Sequence, residues 1–132
     1  AELGSMLVHN RSLLDLNLCS NALGPDGASA LAAALSGEGG AALSDLDLGC
    51  NELGPKGASH LAQVLPSNRR LERLNLRWNN IGDGGMEALI QGGLEKNQTL
   101  KELQLFGNGL SAEATQKMQT LKEAMPNLKV LK

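Results

Sequence analysis

Two histidines and two cysteines are the residues of this 132-residue chain that could supply a general base, a nucleophile or a soft metal ligand. A nucleophile needs a base within hydrogen-bonding reach, and neither His9 nor His60 has a serine or cysteine spaced to pair with it. Cys19 and Cys50 form no cluster of zinc-ligand spacing. We therefore predict no enzymatic activity, no cofactor and no metal site, and two free thiols typical of a reducing, cytoplasmic compartment.

Glycine pairs and carboxylates could instead bind phosphate or a hard cation. The pair Gly84-Gly85 lacks the Lys-Ser/Thr sequence that completes a phosphate-binding loop. The carboxylates of Asp15, Asp45 and Asp47 would bind a cation such as Ca²⁺ only with further oxygen ligands, which no neighbouring loop supplies. We interpret these aspartates as surface charges.

One eleven-residue pattern recurs and must position all of these side chains. It reads L-x-x-L-x-L-x-x-N-x-L/I, and its four full copies, here repeats 1 to 4, begin near Leu13, Leu43, Leu71 and Leu100. A fifth copy starts near Leu128. Self-similarity at a period of 28 to 30 residues is the signature of a solenoid, in which each repeat packs only against its neighbours.

Each repeat combines a strand with a helix. Leucine alternates with polar residues in the middle of the motif, which is the period of a half-buried strand. Helical spacing follows, most clearly over residues 27–35 and 57–65. Because parallel strands need such crossovers, we predict an α/β solenoid with a parallel sheet on the concave side and helices on the convex side. Residues 1–132 form one leucine-rich domain, in which residues 1–10 are the helical half of a further repeat.

Three further positions recur with structural roles. The motif asparagines should turn inward and satisfy backbone groups of the loops; they form the asparagine ladder, Asn21, Asn51, Asn79 and Asn108. A small residue six places later should let each helix approach the sheet closely, at Gly27, Gly57, Gly85 and Ala114. The residues three places before each motif should end a helix in the left-handed conformation; they are Asn10, Gly40, Asn68 and Asn97.

Composition and charge restrict the partners. A formal net charge of −2 gives no reason to expect nucleic acid or an anionic membrane as a partner. No apolar stretch approaches the roughly 20 residues that span a bilayer. Hydrophobic residues make up 42% of the chain and aromatic residues only 2%, so leucine and alanine must build the core.

The full repeat, L-x-x-L-x-L-x-x-N-x-L-G-x-x-G-x-x-x-L-x-x-x-L, resembles the ribonuclease-inhibitor-like subfamily of leucine-rich repeats. The resemblance covers essentially the whole chain, and the segments 23–35 and 53–65 are typical of the subfamily. It implies a non-enzymatic module that binds another protein. With two Cys, one Trp and no Tyr, the chain does not resemble ribonuclease inhibitor itself. The resemblance is closer to the repeat arm of a NOD-like receptor, which would imply a role in innate immunity, or to another intracellular repeat protein. The alternatives are a GTPase-activating regulator similar to the Ran activator and a structural scaffold in a large assembly.

The concave side offers the candidate protein-binding surface. Its positions within the motif contribute seven candidate residues: Asp45, Asp47, Arg73, Arg77, Trp78, Gln104 and Phe106. Trp78 and Phe106 are the only aromatic residues, and aromatic residues and arginine dominate binding hot spots. Trp78 could instead cover its own repeat. The charges could steer a partner, or Arg73 could pair with Asp45 or Glu102 on the neighbouring strands.

The incomplete repeats at both ends indicate a segment of a longer array. Unpaired edges of parallel strands are templates for pairing with another chain. We therefore also expect self-association through the uncapped ends.

Overall fold

The computed structural model describes residues 12–36 and 42–131, and within these it confirms the predicted α/β solenoid. The half repeat over residues 1–10, together with His9, Asn10 and Gly40, lies outside the described residues. Five short strands form one parallel sheet in chain order. They are β1 (Asp15–Asn17), β2 (Asp45–Asp47), β3 (Arg73–Asn75), β4 (Glu102–Gln104) and β5 (Lys129–Leu131).

The central leucine of each motif sets the register. Leu46 pairs with Leu16 on one side and Leu74 on the other, and the alignment continues through Leu103 to Val130. Leu46, Leu74 and Leu103 are each at most 2% exposed, so this row forms the sheet's contribution to the core. The polar residues on either side of this row therefore lie on the opposite, concave face.

Within the described ranges, four α-helices and one short 3₁₀ helix cover the other face of the sheet. They are α1 (Gly24–Leu35), α2 (Gly54–Val64), α3 (Gly82–Gly92), the 3₁₀ helix Leu94–Lys96 and α4 (Ala112–Ala124). The first three helices open on glycines with positive φ, whereas α4 opens on Ser111, whose side chain accepts a hydrogen bond from the Ala114 N–H. In the described part of the chain, no helix is long and apolar enough to cross a bilayer.

The small residues of α2 and α3, Gly57 and Gly85, face the neighbouring helix and not the sheet. A Cβ at Gly85 would lie 3.0 Å from the Pro55 Cα and 3.3 Å from the Ala58 Cβ, both on α2. A Cβ at Gly57 would lie 3.3 Å from Ala28 on α1. The expected close approach to the sheet is therefore wrong: these glycines allow neighbouring helices to approach each other.

The asparagine ladder has its predicted structural role. The Asn79 amide donates to the carbonyl oxygens of Leu48, Leu76 and Arg77 at 2.9 to 3.2 Å. Its Oδ1 accepts the N–H groups of Asn51 and Leu53 in the preceding repeat. Because Asn79 is 0% exposed, these bonds satisfy groups that water cannot reach.

A second row of asparagines lies where the helices return to the sheet. The Asn97 amide donates to the Leu65 carbonyl, and its Oδ1 accepts the N–H groups of Thr99 and Leu100. Asn68 makes the matching bonds to Leu35, Arg70 and Leu71. The predicted left-handed conformation is wrong for both residues, because Asn97 has φ −77° and Asn68 is not among the residues with positive φ. Their side chains, not their backbone, explain why asparagine stands at these positions.

Candidate protein-interaction surface

The parallel register brings the polar strand residues together as two rows on the concave face, here called the concave strip. One row runs through Asp15, Asp45, Arg73, Glu102 and Lys129, and the other through Asn17, Asp47, Asn75, Gln104 and Leu131. A shallow depression of about 200 Å³ lies over these residues. Carboxylates predominate towards β1 and β2, and the first cation is Arg73 on β3.

Arg73 pairs with the strand before it. Its Nη1 lies 3.1 Å from the Asp45 Oδ1, and the side chains are 54% and 30% exposed. Glu102, the other predicted partner, instead accepts a hydrogen bond from the Gln104 Nε2 at 3.2 Å. An ion pair this exposed contributes only about 0–1 kcal/mol, so both charges stay accessible to a partner.

The second row also shapes the turns that follow the strands. The Asp47 Oδ1 accepts the Gly49 N–H at 2.9 Å, and Asn17 and Asn75 accept the corresponding N–H groups of Cys19 and Arg77. Asp47 therefore has a structural role in addition to its charge.

Arg77 extends from repeat 3 across the exit of β2 towards repeat 1. Its Nη2 lies 3.8 Å from the Asp47 Oδ2 and 3.6 Å from the Cys19 Sγ. A Cβ at Gly49 would lie 3.0 Å from the Arg77 Cγ and Nε, so glycine leaves room for this side chain. The hydrogen bond with Cys19 and the nearby Asp47 raise the pKa of Arg77, which stays a cation.

Trp78 lies beside Arg77 in an uncommon backbone conformation. Its φ is +53°, in the left-handed region that bulky residues rarely occupy. The indole packs on Gly107 of the next repeat, where any Cβ would overlap the ring. The residue is 62% exposed, so Trp78 does not fill the core.

Phe106 and Leu14 are the other exposed large hydrophobic residues among those described, at 42% and 57% exposure. The Trp78 N–H donates to the Phe106 carbonyl at 2.8 Å, which places the two aromatic residues on neighbouring strand exits as predicted. Leu14 was not predicted, although the sequence holds a signal: Ser44, Glu72 and Lys101 at the same motif position are polar.

The seven candidate residues thus fall into two groups. Asp45, Arg73 and Gln104 lie on the concave strip. Arg77, Trp78 and Phe106 lie on the strand-exit rim, which comprises Cys19, Ser20, Gly49, Cys50, Arg77, Trp78, Phe106 and Gly107. Asp47 also lies on the concave strip, and its carboxylate contacts Arg77 of the rim. Within residues 12–36 and 42–131 no three acidic, histidine or cysteine side chains are grouped to hold a metal ion.

Comparison with known families agrees with this architecture. A family model described as "Leucine Rich repeat" matches residues 9–32, 43–62, 67–89 and 96–118. The ribonuclease inhibitor of Sus scrofa is 39% identical over 127 residues, and that of Mus musculus is 35% identical over the same length. The chain belongs to the ribonuclease-inhibitor-like leucine-rich repeat family.

This leucine-rich repeat chain matches only part of those relatives. The alignments cover 96% of this chain but 27% and 28% of the two inhibitors, about a quarter of their length. This chain resembles ribonuclease inhibitor in sequence although it has only two cysteines and no tyrosine.

A solved structure supports the fold of this leucine-rich repeat independently. The structure titled "Leiomodin-1 Actin-Binding Site 2 (ABS2)" superposes with a TM-score of 0.82 at 18% identity. The match covers 98% of this chain and 76% of that one. At this identity the likeness establishes the fold alone.

Proposed function

We propose that this leucine-rich repeat is a non-enzymatic protein-binding module whose contact surface comprises the concave strip and the strand-exit rim of repeats 2 to 4. The observation that carries the proposal is Trp78, a large aromatic side chain held outward beside Arg77 and Phe106. Exposed aromatic residues next to arginine have the composition of binding hot spots.

The position of Trp78 is costly for folding and contributes little burial. A non-glycine residue in the left-handed conformation costs about 1–2 kcal/mol, and repeat 4 has Gly107 at the same motif position. Because the indole is 62% exposed, core packing does not offset that cost. The exposed indole is available to a partner, whereas the left-handed turn that holds it is common to repeats 1 to 4.

The charges nearby would orient the partner. Arg77 and Asp47 lie at the centre of the surface, and Arg73 and Asp45 lie beside them, all at least partly exposed. Paired charges at an interface contribute specificity and association rate more than affinity. A partner with its own alternating charges fits this arrangement better than one of uniform charge.

A ribonuclease is the first partner to test, because the curated relatives are ribonuclease inhibitors. Trp78 is the only tryptophan of the chain, so its fluorescence reports on the proposed surface directly. Trp78→Ala should weaken binding, measured by calorimetry, by about 2 kcal/mol or more. The same change should alter the free energy of unfolding by less than about 1 kcal/mol, because the side chain is largely exposed.

Ser20→Ala is the matched control, since Ser20 occupies the same motif position in repeat 1 and also has positive φ. It should bind as the unmodified chain does. Equal affinity of the Trp78→Ala variant would contradict the proposed surface. Failure to bind any ribonuclease would contradict that choice of partner.

We also propose that the module belongs to a cytoplasmic protein as a repeat arm of the NOD-like receptor type. Two free thiols support the reducing compartment. A nucleotide-binding domain encoded next to the repeats of the full gene would support the arm, and an adjacent acidic tail would favour a regulator similar to the Ran activator.

A further inference from the structure

Two thiols and one guanidinium group meet at the strand exits of repeats 1 to 3. The Arg77 Nη2 lies 3.6 Å from the Cys19 Sγ, and Cys50 directly follows Gly49, whose carbonyl accepts the Ser20 N–H. The Ser20 hydroxyl lies 3.6 Å from the Cys19 Sγ on the other side. Both cysteines are partly accessible and neither is in a disulfide.

The register makes a bond between the two sulfurs sterically feasible. The Ser20 N–H donates to the Gly49 carbonyl at 3.0 Å, so the parallel pairing continues past β1 and β2. Cys50 is therefore one residue diagonal to Cys19 on adjacent strands. With hydrogen-bonded backbones about 4.8 Å apart and consecutive Cα atoms about 3.8 Å apart, such diagonal Cα atoms are separated by roughly 6 Å. Disulfides form at Cα separations of about 4.4–6.8 Å.

We propose that Cys19 and Cys50 are a reversible oxidation site that a hydroperoxide converts into an intramolecular disulfide. The Cys19 thiolate attacks one oxygen of hydrogen peroxide: a sulfur–oxygen bond forms, the oxygen–oxygen bond breaks, and the departing hydroxide takes a proton to become water. Cys50 then attacks the sulfenic acid sulfur, and the second oxygen leaves as water with the proton of Cys50. The two thiols lose two electrons in all, and the peroxide gains them.

We assign the first reaction to Cys19 because the Arg77 guanidinium and the Ser20 hydroxyl contact its sulfur. The Ser20 hydroxyl and the Arg77 guanidinium, with a smaller contribution from the Cys50 thiol, lower the pKa of Cys19, and burial and the Asp47 carboxylate oppose them. A lower pKa raises the thiolate fraction more than it reduces the nucleophilicity of each thiolate. A cation beside a partly accessible cysteine is the usual environment of a reactive thiol.

The experiment uses the whole chain, reduced and then treated with hydrogen peroxide. Free thiols are alkylated at intervals and the products are identified by mass spectrometry of the intact chain and its peptides. The expected product is a monomer lighter by two hydrogen atoms, with residues 19 and 50 linked, which dithiothreitol converts back. Linkage between chains, or sulfinic acid without the internal disulfide, would overturn the proposal.

Three variants separate the roles of the residues. Cys50→Ser should accumulate sulfenic acid at Cys19, trapped with dimedone, whereas Cys19→Ser should react at least about threefold more slowly. Arg77→Met should slow the oxidation of Cys19 without changing that of Cys50, with circular dichroism to confirm folding. Equal reaction rates of the two single-cysteine variants would contradict Cys19 as the first thiol to react. The proposal does not depend on the identity of the protein partner.

Discussion

At the residue scale, the eighth motif position has the same backbone conformation whatever residue occupies it. Ser20, Cys50, Trp78 and Gly107 have φ values of 61°, 56°, 53° and 68°. The repeat geometry imposes this conformation, so only glycine adopts it without strain. The side chain can change from repeat to repeat without altering the turn. This position therefore suits residues that serve binding or reactivity.

The asparagine ladder gives the sharpest residue-scale prediction. Asn79→Ala removes all five hydrogen bonds of one buried side chain. Backbone groups of repeats 2 and 3 would then be buried without partners. We expect a loss of at least about 3 kcal/mol in the free energy of unfolding, measured by urea denaturation.

Asn80→Gly is the control for that measurement. Asn80 is exposed and has φ 55°, a conformation that glycine adopts freely, so this change should leave stability unaltered or slightly higher. Equal stability of the Asn79→Ala and Asn80→Gly variants would contradict the role of the ladder.

Side-chain partners were only partly predictable from single residues. The motif places Arg73 between Asp45 and Glu102, one strand away on either side, and spacing alone does not choose between them. The packing of Trp78 on Gly107 follows from backbone torsion angles that motif letters do not encode. The exposure of Leu14 was missed because leucines elsewhere in the motif are core residues.

At the element scale, helix-to-helix packing depends on glycines that look alike in sequence. Gly84 and Gly85 are adjacent in the first turn of α3, yet a Cβ at Gly84 meets nothing within 4 Å, whereas one at Gly85 meets α2 and the Ile81 side chain. Gly85→Ala should force α2 and α3 apart and destabilise the chain by about 1–3 kcal/mol.

Gly84→Ala is the matched control one residue away. It adds the same methyl group to the same helix without a clash and should raise stability by up to about 1 kcal/mol. Thermal denaturation of both variants gives the comparison. If Gly84→Ala and Gly85→Ala changed the melting temperature in the same direction, α2 and α3 would be less closely packed than described.

The start of α4 makes a second contact between repeats. Ser111 donates its N–H at 2.8 Å and its hydroxyl at 2.5 Å to the carboxylate of Asp83 in α3. These hydrogen bonds hold the pKa of Asp83 below its ordinary value. A carboxyl group with a lowered folded-state pKa stabilises the fold above its ordinary pKa, and the contribution is lost as the pH falls through the lowered value.

Asp83→Asn should therefore reduce the loss of stability on acidification. The measurement is the free energy of unfolding in urea at pH values from about 7 down to about 2. Ser111→Ala should change the curve in the same direction, and should also lower stability at neutral pH by about 1 kcal/mol because α4 loses its N-cap. If the free energy of unfolding fell equally with pH in the unmodified chain and in Asp83→Asn, the Asp83–Ser111 contact would not cause the acid sensitivity.

Strands and helices were predictable because their causes are local and repeated. Leucine spacing determines which strand face is buried, and four copies of the pattern determine the register. The second asparagine row was misassigned because asparagine favours both a left-handed helix end and side-chain hydrogen bonds. The end of α2 decides between these roles, because it brings the Leu65 carbonyl to the Asn97 amide.

At the scale of the whole molecule, and among the residues that the structure describes, the leucines around β1 are less buried than those of the middle strands. Leu13, Leu16 and Leu18 are only partly buried and Leu14 is 57% exposed, whereas Leu46 and Leu74 are 2% exposed. It stays a prediction that the isolated 132-residue chain self-associates, and we propose that the exposed Leu14 side chain is part of the contact.

Sedimentation equilibrium over a range of concentrations tests this prediction. The mean mass should rise with concentration, and Leu14→Glu should reduce the rise because it introduces a charge into the apolar patch. Asp26→Glu, on the exposed start of α1, retains the charge and should have no effect. A strict monomer at high concentration would contradict self-association.

The asparagine ladder also bears on how such a molecule changes its length over evolution. The Asn51 N–H binds the amide oxygen of Asn79, and the Asn79 N–H binds that of Asn108, with the same geometry at both junctions. Duplication of one whole unit in the gene would therefore create a junction whose hydrogen bonds are already specified. A deletion of one residue within a strand would instead shift the leucines to the wrong face. Selection on this architecture should thus tolerate gain or loss of entire units far better than small insertions within a strand.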